Sequence, residues 1–75
     1  MTVQIVRTVP DWQNAILVKA NDKHFIIISV DSVYASETLA FPCDENGENV
    51  DFIEVAGVRN PNAFASVMHQ LSNKI

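Results

Sequence analysis

The chain has 75 residues with nine acids and five bases, a net charge of −4, and 48% hydrophobic residues. A chain of this length holds one hydrophobic core, so we expect a single domain over residues 1–75. The deficit of bases argues against direct nucleic-acid binding, which depends on neutralising phosphates. The longest run of large apolar residues is far shorter than the roughly 20 residues that cross a bilayer, so no membrane partner is expected.

The compartment is predicted from the N-terminal pattern and the cysteine content. Residues 1–10 alternate polar and apolar types and lack the basic start and apolar run of an export signal. The single cysteine, Cys43, cannot form an internal disulfide. These features predict a cytoplasmic protein in a reducing environment.

The first half of the chain predicts three strands. Residues 2–9 are rich in β-branched types and end before Pro10, and Val3, Ile5 and Val9 are expected to share one face. Residues 15–20 and 24–30 predict a hairpin whose turn contains Asn21 and Asp22.

The second half predicts two more strands. The stretch around residues 31–36 fits either a strand or a turn, and a fourth strand is placed at about residues 37–41, ending at Pro42. Asn46-Gly47 predicts a tight turn, because both residues tolerate a positive φ. A fifth strand is expected over residues 50–55, with Gly57 ending it.

The C-terminal segment predicts an amphipathic helix. Asn60 suits the cap, Pro61 suits the first helical position, and apolar residues recur at spacings of three and four. The recurring residues are Phe64, Val67, Met68, Leu71 and Ile75. The expected fold is therefore α+β, an antiparallel sheet of four to five strands with this helix packed on one face.

Both faces of the predicted central hairpin are apolar. Ile16 and Val18 point to one face while Ala15 and Leu17 point to the other, and residues 25–30 repeat the pattern. One helix covers only one face. The loop around Trp12, a second copy of the chain, or a partner protein are the alternatives for covering the other face.

No residue pattern predicts catalysis or a cofactor. Cys43, His24 and His69 are the only nucleophile or base candidates of their types, and nothing in the sequence places them together. Gly47 and Gly57 are the only glycines, so there is no phosphate-binding glycine loop. The acidic turn also fails the spacing of an EF-hand calcium loop, which leaves an irregular calcium site as the alternative to a solvated turn.

Acidic residues are concentrated in the middle of the chain. Between Lys23 and Arg59 there are seven acids and no base. An acidic surface attracts a basic partner. Trp12 is either a binding anchor or a residue that fills the core. The candidate partner-binding residues are Asp44, Glu45, Glu48, Asp51, Glu54 and Trp12.

The same region carries a resemblance to a family. The residues concerned are Glu37-Thr38-Leu39-Ala40-Phe41-Pro42, Asp44-Glu45-Asn46-Gly47-Glu48, and Asp51, Phe52 and Glu54. This segment resembles one found in small uncharacterised phage and prophage proteins, from which it departs by the extra Asn49 and by Ala40 in place of a larger residue. The resemblance implies an accessory protein of a mobile element.

Three functional hypotheses follow. The first is an interaction module that binds a host or phage protein through an acidic edge, an apolar sheet face, or both. Its sharper form is an inhibitor of a nucleic-acid-handling or defence protein such as CRISPR machinery. The second is a structural homo-oligomer, including a homodimer. The third is a small enzyme or metal-dependent activity, for which the sequence shows no recognisable catalytic residues, metal-ligand set or phosphate-binding loop.

Overall fold

The protein is an antiparallel sheet with one helix, as seen in a computed structural model that describes residues 3–10 and 14–74. The strands follow in spatial order β1-β2-β3-β4-β5, so that every strand pairs with its neighbour in sequence. The elements are β1 Val3–Thr8, β2 Ala15–Ala20, β3 Lys23–Asp31, β4 Ser36–Cys43, β5 Ala56–Val58 and α1 Phe64–Lys74. The predicted α+β fold is confirmed.

The hairpin of β2 and β3 forms the centre of the sheet, as the sequence predicts. Its two-residue turn has Asn21 at a φ of 58°, a conformation that asparagine tolerates better than most residues. Strand β3 runs on to Asp31, and the ambiguous stretch after it is a turn in which Ser32 N–H donates to Ala35 C=O at 2.9 Å.

The face covered by α1, called here the helix face, holds the larger core. Val67 and Leu71 of the helix are buried against β-strand residues of this face, and Phe64 and Met68 pack at its margin. Predicted position Ile75 lies outside the described residues. The buried strand residues of this face are Val18, Ala20, Phe25, Ile27, Ala40 and Ala56.

Polar contacts from the sheet fix the entry to the helix. Asn60 does not cap it and Pro61 is not its first residue: α1 begins at Phe64, and Asn62 has a φ of 55° that no right-handed helix contains. Ser29 and Thr38 are buried cross-strand partners on β3 and β4. Ser29 Oγ accepts from Asn62 N–H at 2.8 Å, and Thr38 Oγ1 accepts from Ala63 N–H at 3.0 Å.

The predicted position of the fifth strand was wrong, and the predicted end of the fourth strand was also wrong. The fifth strand is Ala56–Val58 rather than residues 50–55, and Gly57 lies within it instead of ending it. Strand β4 continues through Pro42 to Cys43. The proline is tolerated because its backbone groups face away from β3. Its carbonyl accepts from Asp51 N–H at 2.9 Å, and its nitrogen, which has no hydrogen to donate, points to the same side, at a position that β5 does not reach.

Strand β1 does not keep one apolar face. The register shifts between Ile5 and Arg7, which is a β-bulge, and this reverses the alternation of side chains. Val3 therefore packs on the helix face, whereas Val9 joins the opposite core. The prediction that Val3, Ile5 and Val9 share a face is wrong for this reason.

Candidate functional site

The face opposite the helix is covered by a long segment between β4 and β5. Residues 44–55, called here the crossing segment, leave β4 after Cys43 and run across this face. Leu17 and Ile26 beneath it are fully buried, and Val50 packs against them with Phe41 and Cys43. The crossing segment was not among the alternatives for this role, and the loop around Trp12 lies outside the described residues.

A glycine in a left-handed conformation shapes the crossing segment where it lies against the sheet. A Cβ added to Gly47 would be 3.9 Å from both terminal methyl carbons of Leu17, and its φ of 79° favours glycine. Arg7 of β1 donates from Nη2 to Asn46 C=O at 2.7 Å. These contacts hold the predicted Asn46-Gly47 turn, which is confirmed, against the far side of the sheet.

Asp44 organises the start of the crossing segment. Its Oδ1 accepts from Asn46 N–H at 2.9 Å and from Glu48 N–H at 2.8 Å, and its Oδ2 accepts from Asn49 Nδ2 at 2.8 Å. The pKa of the Asp44 carboxyl is lowered below its ordinary 3.8, and the hydrogen bond from Glu48 has the largest effect. The hydrogen bonds from Asn49 and Asn46 and the charge of His24 lower this pKa further, in that order of size. Among the predicted site residues, Asp44 thus has a structural role.

The three acids that follow point to solvent. Glu45, Glu48 and Asp51 are exposed, and none of them forms an ion pair with a described residue. Glu54 is also exposed, but it lies 3.5 Å from Arg59, which in turn lies 3.7 Å from Glu37. The structure therefore brings the predicted acids of residues 44–54 onto one segment, with the charge of Glu54 partly compensated.

Two large apolar side chains lie among these acids. Phe52 and Ile53 are each 63% exposed, and Ile53 N–H donates to Asp51 C=O at 2.7 Å, which closes a tight turn around Phe52. The Phe52 ring packs on Phe41 with centroids 5.4 Å apart and planes at 60°. The sequence pattern predicts both residues within a strand, and nothing in it indicates that they lie exposed at the surface.

The last five residues of the crossing segment, 51–55, are bonded to β4 at both ends, and the segment borders a groove. Asp51 N–H donates to Pro42 C=O at 2.9 Å, and Val55 N–H donates to Ala40 C=O at 3.0 Å. A groove of about 370 Å³ lies between the segment and β1, with Arg7, Glu48 and Phe52 in its walls. This volume is in the range of sites that accept a side chain or small ligand.

Cys43 and His24 are cross-strand partners, a proximity that the sequence did not reveal. Burial, and then the negative charge of Asp44, raises the pKa of the Cys43 thiol to about 11. The thiol is therefore protonated at neutral pH and lacks the thiolate that nucleophilic catalysis requires. His69 lies exposed on the helix.

Within residues 3–10 and 14–74, no group of three or more His, Cys, Asp or Glu is arranged to hold a metal ion. No helix in these ranges has the length and apolar character needed to span a membrane.

The fold and this surface define an α+β meander whose second face is closed by an acidic segment. Comparisons with protein-family models, with curated proteins and with solved structures gave no match. The assignment of function therefore depends on the chemistry of the surface itself.

Proposed function

We propose that this protein is an interaction module that binds another protein through residues 45–54. The observation that carries the proposal is the adjacent exposed pair, Phe52 and Ile53, set among the carboxylates Glu45, Glu48 and Asp51, none of which forms an ion pair with a described residue. Aromatic and aliphatic anchors contribute most of the energy of protein interfaces, and surrounding charges steer the encounter and select the partner.

The chemistry of the surface specifies the kind of partner. The carboxylates favour a basic rim, and the apolar pair favours a hydrophobic pocket within that rim. Basic channels of nucleic-acid-handling proteins have such rims. The sharper form of the proposal is therefore an accessory protein that occupies such a channel and inhibits the protein that contains it. The resemblance to phage and prophage proteins supports this form, in which the partner is a host defence protein.

The braced backbone supports binding without a large ordering cost. Asp51 N–H and Val55 N–H donate to carbonyls of β4 and so fix both ends of residues 51–55. The Phe41 ring packs against the ring of Phe52. A surface that is ordered before binding loses less conformational entropy when it associates.

The test is quantitative capture from a lysate of the encoding organism, followed by affinity measurement with the purified captured protein. The variant Glu45→Gln/Glu48→Gln/Asp51→Asn is compared with Asp22→Asn/Asp31→Asn/Glu37→Gln, which removes the same charge elsewhere. We expect the first to lose at least ten-fold in affinity and the second to retain it, with wild-type affinity falling as salt increases.

A second pair of variants tests the apolar contribution. Ile53→Ser removes one exposed anchor, whereas Val33→Ser removes an apolar side chain that is 93% exposed at a distant turn. Only Ile53→Ser is expected to weaken binding. Equal binding by all four variants, or no specific capture by the wild-type protein, would contradict the proposal.

A further inference from the structure

The two edges of the sheet differ in whether their backbone groups have partners. At the β5 edge, Gly57 N–H donates to Gln70 Oε1 at 2.9 Å and Gly57 C=O accepts from Gln70 Nε2 at 3.0 Å. Lys74 Nζ donates to Val55 C=O beside them. These side chains close the β5 edge, which a further strand would otherwise extend.

The β1 edge has no such cover within the described ranges. No side chain or loop there bonds the backbone of Val3, Gln4 or Ile5, and the one backbone group of β1 that Arg7 bonds is the Thr8 carbonyl, at 3.1 Å. Strand β1 is exposed from Gln4 to Thr8. Among the residues that the structure describes, the sheet therefore has one closed edge and one open edge.

The ladder shows which groups of β1 point outward. Successive residues of a strand direct their backbone N–H and C=O groups to opposite neighbouring strands. Asn14 C=O accepts from Ser29 N–H, so the even-numbered residues of β2 form hydrogen bonds with β3 and the odd-numbered residues form them with β1. Lys19 of β2 is paired with Gln4, whose backbone therefore faces inward. It follows that the N–H and C=O groups of Val3 and Ile5 point away from the sheet.

The side chains of this edge suit a second copy of the same strand. Ile5 is 61% exposed, and its pairing with Val18 places it on the helix face beside Val3. Strand β1 carries one positive charge and no acid, in a chain of net charge −4. Two copies thus approach at this edge without bringing carboxylates together.

We propose that two copies of the chain pair through β1, antiparallel, about a twofold axis at Gln4. In this register Val3 of each copy lies opposite Ile5 of the other. Each such pair exchanges two backbone hydrogen bonds and joins two apolar side chains on the helix face. The closed β5 edge stops the association at a dimer, and the bulge after Ile5 keeps the paired stretch short.

The short interface makes the dimer concentration-dependent, which provides the first test. Light scattering of the purified full chain is measured from micromolar to millimolar concentration. We expect the mass to rise from 8.3 kDa toward twice that value. Ile5→Lys should raise the dissociation constant at least ten-fold, whereas Val33→Lys, a matched change at a distant exposed site, should not alter it.

Cysteine cross-linking tests the register directly. In the Cys43→Ser background, Gln4→Cys places two thiols at the twofold axis, where opposed Cα atoms lie about 4.5 Å apart, within disulfide range. Oxidation should give a covalent dimer with Gln4→Cys and not with Val33→Cys. Circular dichroism shows that each variant is folded.

Three outcomes would overturn the proposal. They are a monomer at every concentration, a dimer unaffected by Ile5→Lys, and no selective cross-link through Gln4→Cys. Because these measurements use the purified protein alone, their failure leaves the proposed binding by residues 45–54 untouched, and the reverse also holds.

Discussion

The Thr38 hydroxyl connects the sheet to the start of the helix, and Thr38→Val tests how much that connection stabilises the fold. The side chain is fully buried. Its hydroxyl donates to Asn60 C=O at 2.8 Å and accepts from Ala63 N–H at 3.0 Å. Valine has nearly the same shape, so the change removes both bonds without opening a cavity.

The expected loss follows from the two bonds. Each contributes about 0.5–1.5 kcal/mol net, and a backbone group left without a partner adds to the cost when water cannot reach it. We expect the free energy of unfolding to fall by about 2 kcal/mol. With a urea dependence of about 1 kcal/mol per molar, the midpoint should fall by roughly 2 M.

Urea denaturation followed by circular dichroism measures this loss. Thr38→Ser keeps the hydroxyl and gives up one methyl, about 0.8 kcal/mol, so it should be more stable than Thr38→Val. Thr8→Val, at an exposed strand position, is the control for the chemical change. If Thr38→Val lost no more than about 0.5 kcal/mol relative to Thr8→Val, near the usual limit for surface changes, the assigned role of the hydroxyl would be refuted.

Three further predictions concern the crossing segment and its neighbours. Leu17→Ala should reduce the free energy of unfolding by about 2–5 kcal/mol in urea denaturation, because the side chain is fully buried on the face opposite the helix; a loss below about 1 kcal/mol would contradict that burial. Cys43 should react slowly with iodoacetamide at pH 8 and faster as the pH approaches its pKa of about 11, whereas rapid alkylation at pH 8 would contradict the raised pKa. Because the folded-state pKa of Asp44 is lowered, its stabilising effect is fully present above the ordinary pKa of 3.8 and is lost as the pH falls through the folded-state pKa. The free energies of unfolding of wild type and Asp44→Asn, measured as the pH is lowered, should therefore converge at low pH. Parallel curves would exclude this contribution.

The sequence predicted the elements whose patterns are local. The spacing of Val67 and Leu71 identified the helix, and Asn21 identified the hairpin turn, because each signal depends on residues close in the chain. The helix start was misplaced because its partners, Ser29 and Thr38, come from distant strands. Nothing near Asn62 indicates that a serine 33 positions earlier will fix its backbone.

The candidate site shows the same division. The acids of residues 44–54 were evident from composition, and their exposure follows from charge. The outward placement of Phe52 and Ile53 was missed, because their alternation with acids also fits a strand and the deciding contacts are with β4. The meeting of His24 and Cys43 likewise depends on the register of β3 and β4, which no local pattern sets.

The crossing segment completes the second core of the protein and carries the surface that we propose binds a partner. Its inner residues, Gly47 and Val50, complete a core that one helix leaves open, while its outer residues present acids and Phe52 to solvent. A small domain has little surplus stability, so a binding loop that also closes the core remains ordered without further supports. This coupling has a consequence for mutagenesis: changes at Glu45, Glu48 or Ile53 affect the surface alone, whereas changes at Asp44, Gly47 or Val50 also uncover Leu17. Loss of binding identifies the interface only for the first group.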